Sequence, residues 1–214
     1  MMASQPFRVA VLANTIFPGG GLMQFLKQSL TALAKEKPDW RFIVIGSISQ
    51  EFLKDLNHPA IEVVWWDDTP RNRLVLSVAK KLLKGMGKSR DAGFLLQSRS
   101  ERYGLPWGDA GKVRSLISQC DVVWVTHYNI DLERLSTGQL LGDLQIPQLF
   151  TIHDIHPAFY PEDHAPGNLV RFYKGFFSFT RSCSAMITHS EVQKRMVVQQ
   201  MGVPSERVIV TPQP

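Results

Sequence analysis

Cysteine is scarce in this chain of 214 residues, which holds two in all. That is too few for a disulfide scaffold and fits a reducing compartment. Long apolar runs are missing too: no stretch reaches the roughly 18 residues that a membrane-spanning helix needs. The opening segment, Met1 to Pro6, has no basic flank followed by an apolar run, so a secretory leader is not expected. There is no internal repeat and no low-complexity tract. Hydrophobic content of 44% and charged content of 20% are ordinary for a globular protein, which excludes wholesale disorder. The composition therefore implies a soluble, cytoplasmic protein of one large domain or two small ones.

Positive charge is present but unevenly spread. The chain carries a net +5. Between Arg71 and Arg102 nine basic residues face only Asp91 and Glu101, a net of +7, so the remainder stands at −2. Such asymmetry points to a negatively charged partner. The segment has an apolar helical face of Leu74, Val75, Val78 and Leu82, with Lys80, Lys81, Lys84 and Lys88 mostly off it. Two readings stand side by side: a surface helix packed on the core, or a basic amphipathic helix resting on an anionic membrane or acceptor. Nucleic acid is not expected, because no recognised binding module accompanies the charge.

Short apolar runs alternate with amphipathic segments. Strands are predicted at 8–13, 41–46, 61–66, 121–126, 148–153, 185–190 and 207–211. Helices are predicted around Leu22 to Leu33, Gln50 to Leu56, Arg71 to Met86, Lys112 to Ser118, Asn168 to Arg181 and the segment after Ser190. Ser190 and Gln193 match a capping box, and Gly202 before Pro204 is a helix stop. Continuous apolar strands alternating with helices imply an open parallel sheet covered on both faces, a Rossmann-like α/β fold. Right-handed crossovers then bring the loops after the strands to one edge, where ligands bind in such sheets. The least regular stretch is about Gly85 to Gly111, long enough to be a functional or mobile loop.

Three constellations fall on that edge. Gly19, Gly20 and Gly21 lie between the first strand and the first helix. Glycines there let a backbone approach an anion at a helix start. The run is neither the dinucleotide fingerprint, since Gln24 occupies the third glycine position, nor a P-loop, since no Gly-Lys-Ser/Thr follows. The alternative is a turn that needs unusual dihedrals. His153 and Asp154 end the strand at 148–153. His153 can donate a hydrogen bond or move a proton near neutral pH, and Asp154 can orient it or cap the next segment. A buried, satisfied histidine is the bland alternative. A metal site from His153, Asp154, His156, Asp163 and His164 matches no established ligand spacing, so no metal is expected. His127, Tyr128 and Asn129 follow the neighbouring strand and carry polar groups suited to sugar hydroxyls, or are ordinary turn residues. Cys120 and Cys183 border strands as small apolar residues with no thiol chemistry.

Taken in order, Arg8–Ala13, Pro18–Gly21 opening a helix, Thr151–Asp154 with Pro157 and Pro161–Glu162, then Ala185–Ser190, Met201–Pro204 and Glu206–Val210 resemble the N-terminal domain of family 4 glycosyltransferases. The resemblance covers most of the chain and is weakest from Thr69 to Gly111. It implies the N-terminal half of a two-domain GT-B fold and transfer of a sugar from a nucleotide sugar, with retention at the anomeric carbon. It implies no cofactor besides the donor substrate. It places Gly19, Gly20 and Gly21 near the donor phosphate and His153 near the transferred sugar. N–H groups at a helix start would offset charge on the leaving phosphate, and a histidine donor would hold the sugar. The acceptor would be a glycan or a lipid-linked molecule, with peripheral contact at the inner face of the membrane. Family members continue into a C-terminal domain that holds the nucleotide and paired glutamates. No Glu-x7-Glu element follows Thr211–Pro214, so residues 1–214 are expected to form one acceptor-side domain, inactive by itself. A non-catalytic binding or scaffold domain of the same fold is the alternative, and a hydrolase or metal enzyme using the histidines is a third reading.

Overall fold

The computed structural model describes residues 5–13, 21–46, 56–65, 78, 110–126, 141–164 and 166–212. Seven parallel strands make one sheet: β1 (Arg8–Ala13), β2 (Arg41–Gly46), β3 (Ile61–Trp65), β4 (Val122–Val125), β5 (Gln148–Thr151), β6 (Ala185–Thr188) and β7 (Val208–Val210). Their spatial order is β3-β2-β1-β4-β5-β6-β7. The order reverses between β1 and β4, the switch point at which open α/β sheets bind ligands. Two sequence-predicted strands end two residues early. β5 stops at Thr151 and β6 at Thr188, because their pairing ends with Thr151 opposite Ile187 and Thr188 opposite Val210. His153 and His189 thus stand beyond the sheet, in its edge loops.

The helices are α1 (Gly21–Glu36), α2 (Ala110–Ile117), α3 (His156–Phe159), α4 (Pro166–Ser182) and α5 (Glu191–Met201). Side chains alternate across each strand, so consecutive residues enter different cores. Val9, Val11 and Ala13 of β1 and Phe42 and Val44 of β2 pack with Phe25, Leu26, Leu30 and Ala34 of α1. Ala10 and Leu12 of β1, with Ile43 and Ile45 of β2, belong to the opposite core, which takes in Val113 and Ile117 of α2, Phe172, Phe176 and Phe179 of α4, and Val197 of α5. Both faces are covered, as the continuous apolar strands predict. Phe150 of β5 stacks on Phe179 with centroids 4.5 Å apart, which seats the aromatic-rich α4 against the sheet.

The helix after β6 follows its sequence signals with one difference. Ser190 Oγ accepts from the Gln193 amide at 3.1 Å, and Gly202 closes the helix at φ 68°. The Gln193 side chain, however, accepts from the amide of His189 at 2.9 Å, rather than from the cap residue itself as in a capping box. Of the basic stretch from Arg71 to Arg102, only Val78, helical and exposed, is among the described residues. The predicted helix from Gln50 also lies outside them up to residue 55.

Candidate functional site

Threonines hold the strand ends where the site begins. Thr126, just past β4, donates both its amide and its hydroxyl to the carbonyl of Leu12, at 3.1 and 2.9 Å. Thr151 of β5 accepts from the indole N–H of Trp124 at 2.8 Å, and the Thr188 hydroxyl of β6 donates to Ile209 at 3.4 Å. All three threonines are buried. Each hydroxyl finds a partner on an adjoining strand, which a buried polar group requires. The result is a fixed edge beneath the loops.

His153 stands two residues beyond β5, and its ring lies edge-on to Phe25 of α1 with centroids 4.8 Å apart. Phe25 is one turn into the helix that Gly21 opens. The sequence-predicted histidine and the start of the glycine-led helix therefore share one edge of the sheet. Gly21 is exposed at that helix start, its φ is not positive, and a methyl group placed there would meet nothing within 4 Å. The expectation of an unusual dihedral fails at Gly21: neither conformation nor crowding demands a glycine there. Gly19 and Gly20 lie outside the described residues, as do His127, Tyr128, Asn129, Lys80, Lys81, Lys84 and Lys88.

His189 is the member of the site that the sequence reading missed. Its Nε2 lies 3.1 Å from Nδ1 of His153, and its Nδ1 lies 3.1 Å from the carbonyl oxygen of Thr211. Phe25 also meets the His189 ring edge-on, at 5.0 Å. The two histidines are 36 residues apart and sit at the ends of adjacent strands, so no local spacing links them. One signal was available: a histidine one or two residues past a strand end recurs at His127, His153 and His189.

Asp154 caps the next segment. Its carboxylate accepts from the His156 amide at 2.7 Å, which ties the entry to α3. His156 in turn uses Nδ1 toward His164 Nε2 at 2.9 Å and Nε2 toward Asp163 at 3.6 Å. The two ring nitrogens point in different directions, so His164 and Asp163 do not converge on one point with His156. Among the described residues no group of three or more His, Cys, Asp or Glu side chains could hold a metal ion.

Cys120 and Cys183 are both buried. Burial raises each thiol above its ordinary value; Arg8 opposes this at Cys120 while Asp121 adds to it, and Arg207 opposes it at Cys183. A raised thiol pKa keeps the sulfur protonated and poorly nucleophilic.

A seven-stranded parallel sheet, helices on both faces and polar side chains gathered along its C-terminal edge define a Rossmann-like domain of the GT-B type. The fold matches the crystal structure of Anabaena Alr3699/HepE in complex with UDP and glucose, with a TM-score of 0.58 and 16% identity over 97% of this chain and 44% of that one. UDP-GlcNAc 2-epimerase from Methanocaldococcus jannaschii is a more distant likeness, with a TM-score of 0.48 and 13% identity over 95% of this chain and 45% of that one. The chain thus spans less than half the length of either. No curated protein matches the sequence. The family model for Glycosyltransferase Family 4 matches residues 54–214, and the chain belongs to that family. It is a glycosyltransferase-like domain.

Proposed function

We propose that this chain is the acceptor-side domain of a retaining glycosyltransferase, which transfers a sugar from a nucleotide sugar to a glycan or a lipid-linked acceptor. The observation that carries this reading is the family match over 54–214, together with His153 standing at the sheet edge beside the helix that Gly21 opens. In this reading Gly19, Gly20 and Gly21 approach the donor phosphate, and the free N–H groups of the α1 start offset its charge. His153 contacts the sugar in transfer. Asp154 keeps the loop after His153 in shape through the His156 amide. His127, Tyr128 and Asn129 contribute to the acceptor side. The basic stretch around Lys80, Lys81, Lys84 and Lys88 faces an anionic acceptor or the membrane that carries it. No further cofactor enters.

HepE was solved with UDP and glucose, and this chain spans 44% of it. From the family resemblance we assign nucleotide binding mainly to a second domain, without which this chain is inactive. The purified 214-residue chain, given a panel of nucleotide sugars with glycan and polyprenyl-phosphate acceptors, should bind an acceptor and show no transfer. Clear turnover would remove the dependence on a second domain, and failure to retain any acceptor would remove the acceptor-side assignment. His153→Ala should weaken retention of a glycosylated ligand by about tenfold, the worth of one good hydrogen bond to a sugar. An open reading frame that continues past codon 214 would favour an enzyme over a stand-alone binding domain.

A further inference from the structure

The geometry points to His189 as a positioning residue that fixes which nitrogen of His153 carries the proton. A carbonyl oxygen has no proton to give, so at 3.1 Å from Thr211 the Nδ1 of His189 must be the donor. A neutral imidazole carries a single N–H, and Nε2 of His189 is then a lone pair. The contact of 3.1 Å between that Nε2 and Nδ1 of His153 accordingly runs from His153 to His189. The same count applied once more leaves Nε2 of His153 as a lone pair. The chain Thr211–His189–His153 therefore makes neutral His153 an acceptor at Nε2, a buried atom whose chemistry suits a hydrogen bond from a hydroxyl group. This reverses the donor role expected for it.

The backbone that carries His189 and Thr211 in this relay is itself tied down. The His189 amide donates to Gln193, and the Thr211 amide donates to the carbonyl of Thr188 at 2.8 Å. Phe25 closes both rings at 4.8 and 5.0 Å, and the rings themselves lie 5.0 Å apart, tilted by 33°. A ring fixed at its far nitrogen and along its face presents its remaining nitrogen in one direction, the second-layer device that orients imidazoles at metal and catalytic centres. The ligand class is an alcohol, and a sugar hydroxyl fits. That last assignment rests on the proposed function, whereas the tautomer does not.

The test reads the tautomer directly. Long-range proton–nitrogen correlation spectra of the full chain with labelled histidine, at about pH 8 where ordinary imidazoles are neutral, resolve the two forms. The six histidines are assigned by single substitutions. We expect His153 and His189 both in the Nδ1–H form, the minor one for a histidine free in water. His189→Leu should move His153 to the Nε2–H form. His189→Gln, whose amide oxygen can accept where Nε2 does, should restore Nδ1–H. Wild-type His153 in the Nε2–H form would overturn the inference, as would Nδ1–H persisting in His189→Leu. If the leucine variant fails to fold, the wild type and the glutamine variant still decide. The readout involves no sugar, so loss of the glycosyltransferase reading would leave it intact.

Discussion

A methyl group at Gly46 would lie 2.0 Å from the carbonyl oxygen of Ala13, its partner across the β1–β2 ladder, whereas one at Gly21 would meet nothing within 4 Å. The first contact is with backbone inside a sheet and cannot be relieved by a side chain turning aside. Gly46→Ala should therefore cost about 3 kcal/mol in urea unfolding, the upper part of the overpacking range. Gly21→Ala should leave stability unchanged or raise it by up to about 1 kcal/mol, since alanine favours a helix over glycine. The same substitution places a methyl group where the proposed donor phosphate approaches. If that reading holds, the variant binds nucleotide sugar more weakly in the complete enzyme while its unfolding midpoint does not fall. Unchanged affinity would show that the backbone at Gly21 is not used.

At the level of elements, α5 offers a separable measurement. Ser190→Ala removes the hydroxyl that accepts from the Gln193 amide and should cost about 1 kcal/mol. A loss well below that would mean Gln193 carries the helix start instead. This helix was legible in the sequence down to its cap and its stop, because both depend on neighbours within a few residues. The strands were legible for a related reason: a parallel strand buried on both faces reads as one apolar run, as Arg8–Ala13 and Arg41–Gly46 do. Their ends were less so. Whether β5 reaches His153 depends on how far β6 runs beside it, and nothing between 148 and 153 encodes that. The relay failed to appear for the same reason on a larger scale. His153 was readable from its strand and its motif, but its partner arrives from 36 residues away through the order of strands in the sheet. The three threonines under the site were hidden likewise, since each hydroxyl bonds across strands.

Over the whole molecule the charge is unevenly divided. Nine basic residues and two acidic ones lie between Arg71 and Arg102 in a chain whose net charge is only +5, so the remainder is slightly acidic. Among the described residues no helix is long and apolar enough to cross a membrane. The stretch from Arg71 to Arg102 has no apolar run of the roughly 18 residues that a spanning helix needs, so the membrane contact proposed for it is a surface contact, held mainly by charge. Each lysine near an anionic surface contributes about 1 kcal/mol, and the attraction fades within a Debye length of about 10 Å at 0.1 M salt. Replacing Lys80, Lys81, Lys84 and Lys88 together by Gln should thus weaken binding to vesicles rich in phosphatidylserine by about three orders of magnitude. Wild-type binding should also fall steeply between low and physiological salt. Co-sedimentation with anionic and with neutral vesicles tests both statements. If the wild type ignores anionic vesicles at low salt, the surface contact is removed and the charge is left to an anionic acceptor. If it binds but the fourfold variant binds equally well, these lysines are not the contact and the apolar face around Leu74, Val75, Val78 and Leu82 becomes the place to substitute next.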